Sequence, residues 1–317
     1  MNPWAATVLD RLGARLGRSG DGTPCPACDA PASRHLFDAR DVPIKYCPAC
    51  DLAFADPLPT AQELAEFYSD DAYFQGGHEG YGFCDQVTVG DRLRESLLES
   101  WPFLERLTTW LPSRGRLLDI GCGTGFRLSV ASADGWDAQG IEPSAFASQV
   151  AREHYGQRCL TGSFFDVPFD DGSFDAVVLH AVIEHVTDPR ALLGEAARLL
   201  RPGGVIALQT PNFGSRRVKL RGAGWNEIRP PEHIVMHSET SLRRLARATG
   251  LEMLAFSTHP RYTVSPPEVR GCLPGPARSL VHVLEGTPLE DPAERALIAA
   301  YDRAWQYPIL AAWLQKA

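Results

Sequence analysis

The feature that most constrains this chain is a strand that runs directly into a glycine-rich turn and then into a helix. The strand-like segment RLLDI (116–120) is followed by GCGTG (121–125) and by the helical stretch FRLSVASADG. Glycines let such a turn approach a ligand closely, and an acidic residue at the end of the next strand accepts hydrogen bonds from two ribose hydroxyls. Glu142 ends the next strand-like segment, WDAQGIE, 21 positions after Gly121. This spacing predicts a nucleotide-type cofactor site.

Composition and periodicity place this motif in a globular α/β protein. From residue 116 onward, strand-like and helix-like segments alternate, which is typical of a doubly wound α/β sheet. The chain has 317 residues, 44% of them hydrophobic and 22% charged, which suits one main domain with smaller modules. No apolar run approaches the ~18 residues of a membrane span. The N-terminal segment also lacks the apolar core of a signal peptide. We therefore expect a cytoplasmic protein.

Several blocks of this region carry a family resemblance. LLDIGCGTGFRL resembles motif I of class I S-adenosylmethionine-dependent methyltransferases, whose spacing is Asp-x-Gly-x-Gly-x-Gly. DAQGIEPS, DVPFDDGSFDAVVLHAVIEHV and RLLRPGGVIALQTPN follow in the family's order, and GWNEIRPPEHIVMHSETSLRRLARATGL is similar to bacterial ubiquinone-biosynthesis O-methyltransferases of the methyltransferase domain family 23 type. The resemblance implies a Rossmann-like, doubly wound, seven-stranded sheet. It also implies S-adenosylmethionine as the methyl donor and S-adenosylhomocysteine as the product.

The same resemblance implies cofactor contacts at individual positions. Asp119 is expected near the methionine moiety, Glu142 on the ribose hydroxyls, and the backbone of His180 facing the sulfonium. Ser163 stands where the family usually has an acidic residue for the adenine amino group, so Phe164 is expected to contribute by stacking or through its backbone amide. Backbone access to the cofactor is expected along the turn formed by Gly121, Cys122, Gly123 and Gly125.

Two histidines are candidates for the base that an oxygen or acidic-carbon acceptor needs. His185 lies just after the fourth strand in IEHV, and His233 lies in the proline-braced segment PPEH before the sixth strand. For each of them a catalytic role and structural packing both remain open. Some ubiquinone-pathway relatives bind a divalent metal through Glu-x-x-Glu-His at the first of these turns. Because Ala181 occupies the first acidic position, no metal is predicted there.

Four of the eight cysteines form a separate pattern near the N-terminus. The sequence CPAC occurs twice, with 18 residues between the copies, and supplies Cys25, Cys28, Cys47 and Cys50. Two such knuckles at this distance predict a zinc ribbon with tetrahedral Zn²⁺, and a redox dithiol pair is the alternative. The ribbon is either a structural clip or a recognition module. Its hairpin carries three basic and three acidic side chains, a poor balance for binding a phosphate backbone.

These patterns predict five parts of the chain. The parts are an N-terminal helix (1–22), a zinc ribbon (23–55), a helical connector or lid (56–112), the methyltransferase domain (113–260) and a Pro-rich segment with a helix (261–317). Thr60 and Glu63 form a capping-box signature for a short connector helix. The final helix, Pro292 to Gln315, is expected to dock on its own domain or on a second subunit of a homodimer. A cap over the pocket and an interdomain core both remain open for the aromatic residues Tyr68, Tyr73, Phe74, Tyr81, Phe83 and Trp225.

The leading functional hypothesis is methyl transfer to a small molecule, directed at oxygen, in secondary-metabolite or modified-sugar biosynthesis. One alternative is an RNA methyltransferase that uses the ribbon for recognition, and another is a non-catalytic cofactor-binding partner protein. The net charge of −8 disfavours nucleic acid, and LHAV stands where base-directed enzymes carry Asn/Asp-Pro-Pro-Tyr. Two interpretations remain open for the basic cluster of Arg216, Arg217, Lys219 and Arg221. It is either a solvated loop or a site that recognises an anionic or nucleotide-linked acceptor.

Overall fold

The structure is a computed structural model of the chain. It describes residues 24–31, 33–68, 71–75, 86–99, 101–215, 218, 224–225, 227–258 and 309–317. The predicted N-terminal helix (1–22) and the Pro-rich segment from 261 to 308 lie outside the described residues. In the ranges that the structure describes, no helix has both the length and the apolar character needed to cross a membrane.

The described residues form eleven strands and seven helices. The strands are β1 (Arg34–Ala39), β2 (Val42–Cys47), β3 (Leu52–Ala55), β4 (Arg116–Ile120), β5 (Asp137–Glu142), β6 (Cys159–Thr161), β7 (Phe174–His180), β8 (Leu200–Pro211), β9 (Val235–Met236), β10 (Leu251–Ser257) and β11 (Ile309–Lys316). The helices are α1 (Ala61–Tyr68), α2 (Gln86–Glu99), α3 (Pro102–Glu105), α4 (Phe126–Ala133), α5 (Ala145–Glu153), α6 (Pro189–Leu199) and α7 (Glu239–Ala248). Short 3₁₀ turns lie at Asp71–Tyr73, Arg106–Thr109 and Ile183–His185.

A seven-stranded sheet in the order β10-β11-β8-β7-β4-β5-β6 organises the molecule. Neighbouring strands from β6 through β8 are parallel, whereas β11 is antiparallel to both β8 and β10. The parallel strands are nearly continuous apolar runs because helices cover both faces of the sheet. This arrangement confirms the predicted α/β, doubly wound, seven-stranded sheet.

Alternate residues of each strand point into two different hydrophobic clusters. Leu117 and Val178 face a cluster that contains α4 and the connector helices α2 and α3, whereas Leu118 and Val177 face a cluster that contains α6 and α7. Several helices are capped at their N-terminus by a side chain that is adjacent in sequence. Ser144 accepts from the Ala147 N–H before α5, for example.

The ribbon strands form a second sheet in the order β1-β2-β3-β9. Its last strand comes from the far end of the methyltransferase region, with Phe54 paired to Val235 and Ala53 to Met236. Leu52 and Phe54 are fully buried and belong to the same hydrophobic cluster as α6 and α7. The ribbon is therefore joined to the larger domain by backbone pairing and by a shared core.

The connector contains the predicted short helix and a helix broken by proline. Thr60 Oγ1 accepts from the Glu63 N–H at 3.2 Å and Glu63 Oε2 accepts from the Thr60 N–H at 2.7 Å, which confirms the capping box. Helix α2 ends at Glu99, and Pro102 begins α3 instead of kinking one continuous helix.

The end of the chain differs from the sequence prediction. Residues 309–316, predicted as the end of a helix, form strand β11 between β8 and β10. Leu310, Ala312 and Leu314 face one cluster of the core, and Ala311 and Trp313 face the other. A strand buried on both faces is an unbroken apolar run, which periodicity cannot distinguish from a buried helix.

Candidate active site

The glycine turn lies at the carboxyl end of β4 and is tied to Glu142 at the end of β5. The Gly123 N–H donates to Glu142 Oε2 at 2.9 Å, and the Ser144 N–H donates to Oε1 at 2.9 Å. Burial raises the pKa of Glu142 to about 7, against the lowering effect of these two hydrogen bonds. Gly123 and Gly125 have φ values of +55° and +85°, and a Cβ on Gly125 would lie 2.5 Å from that of Ala151. Gly125 is thus restricted to glycine by a close contact and by its φ, and Gly123, whose N–H holds Glu142, is favoured as glycine by its φ.

Asp119 and Cys122 flank this turn in different ways. Asp119 is buried in β4, and burial raises the pKa of its carboxyl to about 7. Cys122 turns its side chain into the core, where its Sγ lies 3.4 Å from that of Cys159. Only the backbone of Cys122 belongs to the turn surface, as backbone access to a cofactor would require.

The loop after β6 continues this surface beyond Glu142. The Gly162 N–H donates to the Glu142 carbonyl at 3.0 Å. Ser163 Oγ accepts from the Phe165 N–H at 3.3 Å, so this hydroxyl serves its own turn. Phe164 is buried, whereas Phe165 is 54% exposed. The two rings lie 5.5 Å apart and give this end of the surface an aromatic character.

His180 ends β7 on the other side of β4. Its ring lies 5.9 Å from that of Phe103 and 6.4 Å from that of Trp101. Burial, together with the nearby charge of Arg127, holds the pKa of His180 well below its usual value. Its side chain is therefore a neutral member of an aromatic cluster.

Aromatic side chains of the connector run from the glycine turn to His185. A Cβ on Gly123 would lie 3.9 Å from Phe74 Cε1. Ring centroids then follow at 5.0 Å from Phe74 to Tyr73, 5.4 Å from Tyr73 to Tyr68, and 5.8 Å from Tyr68 to His185. Three of the predicted aromatic residues therefore cover the space between the turn and this histidine. Trp225 is buried in the core, and Tyr81 and Phe83 lie outside the described residues.

The two candidate histidines, 48 residues apart in sequence, meet in the structure. Their ring centroids lie 4.8 Å apart in an edge-to-face arrangement. Burial and then Arg229 lower the pKa of His185 to about 3, and the same two causes hold the pKa of His233 well below its usual value. Both imidazoles are therefore neutral at physiological pH.

Hydrogen bonds distinguish the two histidines. His185 Nδ1 lies 3.1 Å from the Glu232 carbonyl and 2.6 Å from the Tyr68 hydroxyl, and His233 Nδ1 lies 2.8 Å from the Glu227 carbonyl. Because a carbonyl can only accept, the contacts with the Glu232 and Glu227 carbonyls favour a proton on Nδ1 of each ring and a lone pair on Nε2. In this tautomer the Tyr68 hydroxyl is a second acceptor for the His185 Nδ1–H. The Nε2 of His233 lies 3.3 Å from an N–H donor of Arg229. The Nε2 of His185 makes no hydrogen bond within the described residues.

Carboxylates complete this buried cluster. Glu232 Oε1 accepts from the Tyr73 hydroxyl at 2.7 Å, and its Oε2 lies 3.0 Å from Arg229 Nε. Glu184 Oε2 accepts from the Thr210 hydroxyl at 2.9 Å. The Oε1 of Glu184 lies 3.8 Å from His185 Nε2 and has no hydrogen-bond partner in the described part of the chain.

Glu184, His185 and His233 together form a group with metal-ligand chemistry. One ligand-type atom from each lies within 4.8 Å of the other two. In the sequence, only the turn at 181–185 carries part of a metal-ligand pattern, and Ala181 leaves that pattern incomplete. The third ligand-type atom comes from a distant segment, which spacing along the chain could not indicate. The geometry therefore offers both a neutral imidazole base and a set of three N/O ligands.

The four ribbon cysteines also converge, as their spacing predicted. Their Sγ atoms all lie within 4.8 Å of one another, with 3.4 Å between Cys25 and Cys50 and 3.6 Å between Cys28 and Cys47. Tetrahedral Zn²⁺ with Zn–S bonds of about 2.3 Å fits such a set of sulfurs. Sharing a proton with Cys50 lowers the pKa of Cys25 to about 5. A lowered pKa favours the thiolate form, which is the form that binds a metal.

The comparison with known proteins gives the family. A family model described as a methyltransferase domain matches residues 91–255, just over half of the chain. The chain belongs to this methyltransferase domain family. The basic cluster Arg216, Arg217, Lys219 and Arg221 falls inside the matched region but outside the described residues.

Curated relatives of this methyltransferase domain include O-methyltransferases. The ubiquinone biosynthesis O-methyltransferase of Thiobacillus denitrificans is 29% identical over 160 residues, which cover 45% of this chain and 69% of the relative. The O-methyltransferase cnsE of Penicillium expansum is 30% identical over 171 residues, which cover 47% of this chain and 58% of the relative. The chain thus spans only part of the relatives it matches.

A solved structure supports the fold assignment. The (4+2)-cyclase SpnF superposes with a TM-score of 0.50 at 19% identity, covering 82% of this chain and 98% of that chain. At this identity the likeness concerns the fold alone.

Proposed function

We propose that this protein transfers the methyl group of S-adenosylmethionine to an oxygen atom of a small-molecule acceptor. The observation that carries the proposal is the neutral imidazole of His185, whose Nε2 has no hydrogen-bond partner among the described residues and whose ring is linked to the glycine turn by aromatic side chains in edge-to-face contact. When bound, the cofactor supplies an activated methyl group. The protein must then align the acceptor and remove its proton.

Glu142, Asp119 and the glycine turn form the cofactor-binding part of this proposal. Glu142 would accept the ribose hydroxyls at the end of β5, and Asp119 would lie near the methionine moiety. Ser163 and Phe164 would line the adenine end, and the backbone of His180 would face the sulfonium. The positions of these residues along one edge of the sheet support the assignment.

His185 is the proposed general base, and His233 its positioning partner. The Glu232 carbonyl and Tyr68 orient the ring through Nδ1, which leaves Nε2 to take a proton from an acceptor hydroxyl. The received proton would face Glu184 Oε1, 3.8 Å away. His233, whose Nε2 lies beside Arg229, would contact the His185 ring edge-to-face and so fix its orientation.

The ribbon is proposed to hold one structural Zn²⁺ through Cys25, Cys28, Cys47 and Cys50. The pairing of β3 with β9 supports a structural role for the ribbon, because β9 begins two residues after His233. For the identity of the methyl acceptor, we propose a small molecule of a biosynthetic pathway, including an anionic or nucleotide-linked one.

The reaction is tested by incubating the protein with radiolabelled S-adenosylmethionine and an extract of its own host, and then separating products by size with and without nuclease. We expect label in the small-molecule fraction. Nuclease-sensitive label in the large fraction would contradict the proposal and favour an RNA methyltransferase. A wild-type protein that does not bind S-adenosylhomocysteine would contradict any methyl transfer.

The role of His185 is tested by His185→Gln. We expect the rate of methyl transfer to fall by about 100- to 10,000-fold, the usual contribution of a general base. The affinity for S-adenosylhomocysteine, measured by calorimetry, should stay within about threefold, because His185 is placed on the acceptor side. His233→Gln is the matched variant and should cost less. Equal losses in both variants would contradict the assignment of His185.

A further inference from the structure

The proton on the His185 ring is directed by two groups of different kinds at Nδ1. The Tyr68 hydroxyl lies 2.6 Å from this nitrogen, and the Glu232 carbonyl lies 3.1 Å from it. A hydroxyl can donate or accept and therefore suits either tautomer of the imidazole, whereas a carbonyl can only accept. The Glu232 carbonyl is thus the group that favours a proton on Nδ1 and a lone pair on Nε2.

The Glu232 carbonyl depends on few backbone contacts. The Glu232 N–H donates to the Arg229 carbonyl at 3.1 Å, and the His233 N–H donates to the same carbonyl at 3.3 Å. Both bonds close the turn through its first residue and leave the Glu232 carbonyl itself without a backbone donor among the described residues. In that part of the chain its hydrogen-bond contact is His185 Nδ1. Other contacts of Glu232 must therefore hold this carbonyl in place.

The side chain of Glu232 supplies such contacts, because it is buried and held from two sides. The Tyr73 hydroxyl donates to Oε1 at 2.7 Å, and Arg229 Nε lies 3.0 Å from Oε2. Oε1 also lies 3.8 Å from His233 Nε2, which is too long for a hydrogen bond. A buried carboxylate is costly to leave without a donor, so its two partners fix its orientation. With the Tyr73 hydroxyl removed, Oε1 can turn towards His233 and draw the Glu232 backbone with it.

Tyr73 is placed for this contact by the packing of its ring. It ends the 3₁₀ turn Asp71–Tyr73, and its ring centroid lies 5.0 Å from that of Phe74 and 5.5 Å from that of Phe67, both edge-to-face. Burial and then the charge of Glu232 hold the pKa of Tyr73 well above its usual value, so its hydroxyl keeps the proton that it donates. Removal of the hydroxyl alone would leave this ring packing in place. The polar link adds to the two roles, cap and core, that the sequence left open for this residue.

We propose that Tyr73 is a positioning residue for the general base His185. Its hydroxyl holds the Glu232 side chain, and so holds the carbonyl that selects the Nδ1–H tautomer of the imidazole. This inference rests on the proposed function and adds to it a residue that acts through Glu232. Tyr68 and Tyr73, five residues apart in the connector, thus act on one imidazole by a direct and an indirect route.

The tautomer is measured directly by NMR on the full chain labelled with ¹⁵N at histidine, because the shifts of the two ring nitrogens differ between the tautomers. His185→Gln identifies the His185 signals among the nine histidines. The wild type should hold the Nδ1–H form, and Tyr73→Phe should shift the tautomer ratio towards Nε2–H by about fivefold or more, the equivalent of one net hydrogen bond. In the host extract with radiolabelled S-adenosylmethionine, the maximal rate should fall with the population of the Nδ1–H form. The half-saturating amount of extract and the affinity for S-adenosylhomocysteine should stay within about twofold.

Tyr46→Phe is the matched control, because the Tyr46 hydroxyl also donates to a carboxylate, Asp51 Oδ1 at 3.0 Å, but does so in the ribbon. It should leave the His185 signals unchanged. Glu232→Ala removes the carboxylate, keeps the carbonyl and should reproduce the tautomer shift, so it decides the question where Tyr73→Phe does not fold. A folded Tyr73→Phe protein with the wild-type tautomer ratio would overturn the inference, as would a wild type that already holds the Nε2–H form. Because the NMR experiment needs neither cofactor nor acceptor, a tautomer shift without any methyl transfer would support the positioning link and overturn only the proposed function.

Discussion

At the scale of single residues, the carboxyl group of Glu184 has a raised pKa with a clear physical cause, which is its burial. It is fully buried, one oxygen accepts from Thr210, and the other has no hydrogen-bond partner within the described ranges. Burial raises its pKa from an ordinary value of 4.5 to about 8. Because the pKa of Glu184 in the folded chain is higher than its ordinary value, the free energy of unfolding depends on pH through this residue.

The sign of this coupling follows from proton binding. Between pH 4.5 and about 8 the folded chain keeps a proton on Glu184 that the unfolded chain releases. Folding stability from this group is therefore greatest at low pH and falls as the pH rises, by at most about 1.4 kcal/mol per pH unit. Above pH 7 the histidines are largely neutral in both states, but Asp119 and Glu142, whose pKa values are raised to about 7, still titrate there. The share of Glu184 is therefore measured as the difference between the wild type and a variant that lacks its carboxyl group.

We predict that Glu184→Gln removes this decline in stability. Glutamine keeps an acceptor for Thr210 but does not titrate. Urea unfolding of the unliganded protein at pH 7.0, 7.5 and 8.0 should show a smaller loss of unfolding free energy in the variant than in the wild type. Glu252→Gln, which removes an exposed carboxylate, should leave the slope unchanged. Identical slopes in the wild type and Glu184→Gln would contradict the assignment.

At the scale of elements, the pairing of β3 with β9 joins the ribbon to the proposed acceptor site. Ile234 directly follows His233, its N–H donates to the Glu184 carbonyl at 2.9 Å, and its carbonyl accepts from the Ala55 N–H at 2.9 Å. The ribbon thus holds the backbone on which His233 lies and the backbone beside His185. The glycine turn has no comparable contact with the ribbon strands.

We therefore predict that the zinc ligands affect the acceptor side more than the cofactor side. Cys47→Ser should reduce metal content from about one zinc per chain to none, measured by plasma mass spectrometry. It should lower the rate of methyl transfer by about tenfold or more, because small displacements of catalytic groups are costly.

In Cys47→Ser the affinity for S-adenosylhomocysteine should change by less than about threefold. Cys159→Ser, which alters a buried thiol outside the cluster, should keep its zinc. A folded wild-type protein without metal would contradict the ribbon assignment. A loss of cofactor affinity as large as the loss of rate would contradict the acceptor-side role.

At the scale of the whole molecule, the last residues of the chain lie inside the central sheet. Strand β11 pairs with β8 along its length and separates it from β10. Trp313 is 1% exposed, and its ring centroid lies 5.7 Å from that of Phe103 and 6.2 Å from that of Trp110. Strand β11 thus packs the connector segment around Phe103 and Trp110 against the sheet through Trp313.

We predict that Trp313→Ala lowers the free energy of unfolding by about 3–5 kcal/mol, the range for removing a buried aromatic side chain. Leu98→Ala is the matched control, because Leu98 is also apolar and large but 44% exposed. Urea unfolding followed by circular dichroism measures both. Similar small losses in the two variants would show that β11 is not part of the stable core.

Local patterns in the sequence account for much of the fold and of the cofactor surface. The glycine turn, Glu142, the capping box and the two cysteine knuckles each depend on residues close in sequence, where turn geometry and helix capping are decided. Strand β11 escaped prediction because an apolar run buried on both faces has no periodicity. Its two pairing partners are also distant in sequence, with β8 about a hundred residues away and β10 about sixty.

The sequence by itself determined the chemistry available to this protein: a glycine turn with an acidic partner, four thiols in two knuckles and two histidines beside glutamates. Only the tertiary structure decided which histidine keeps a free Nε2, because that depends on the Glu227 and Glu232 carbonyls and on Arg229. Hydrogen-bond occupancy and burial arise from contacts between distant segments, and one-dimensional spacing carries no record of them.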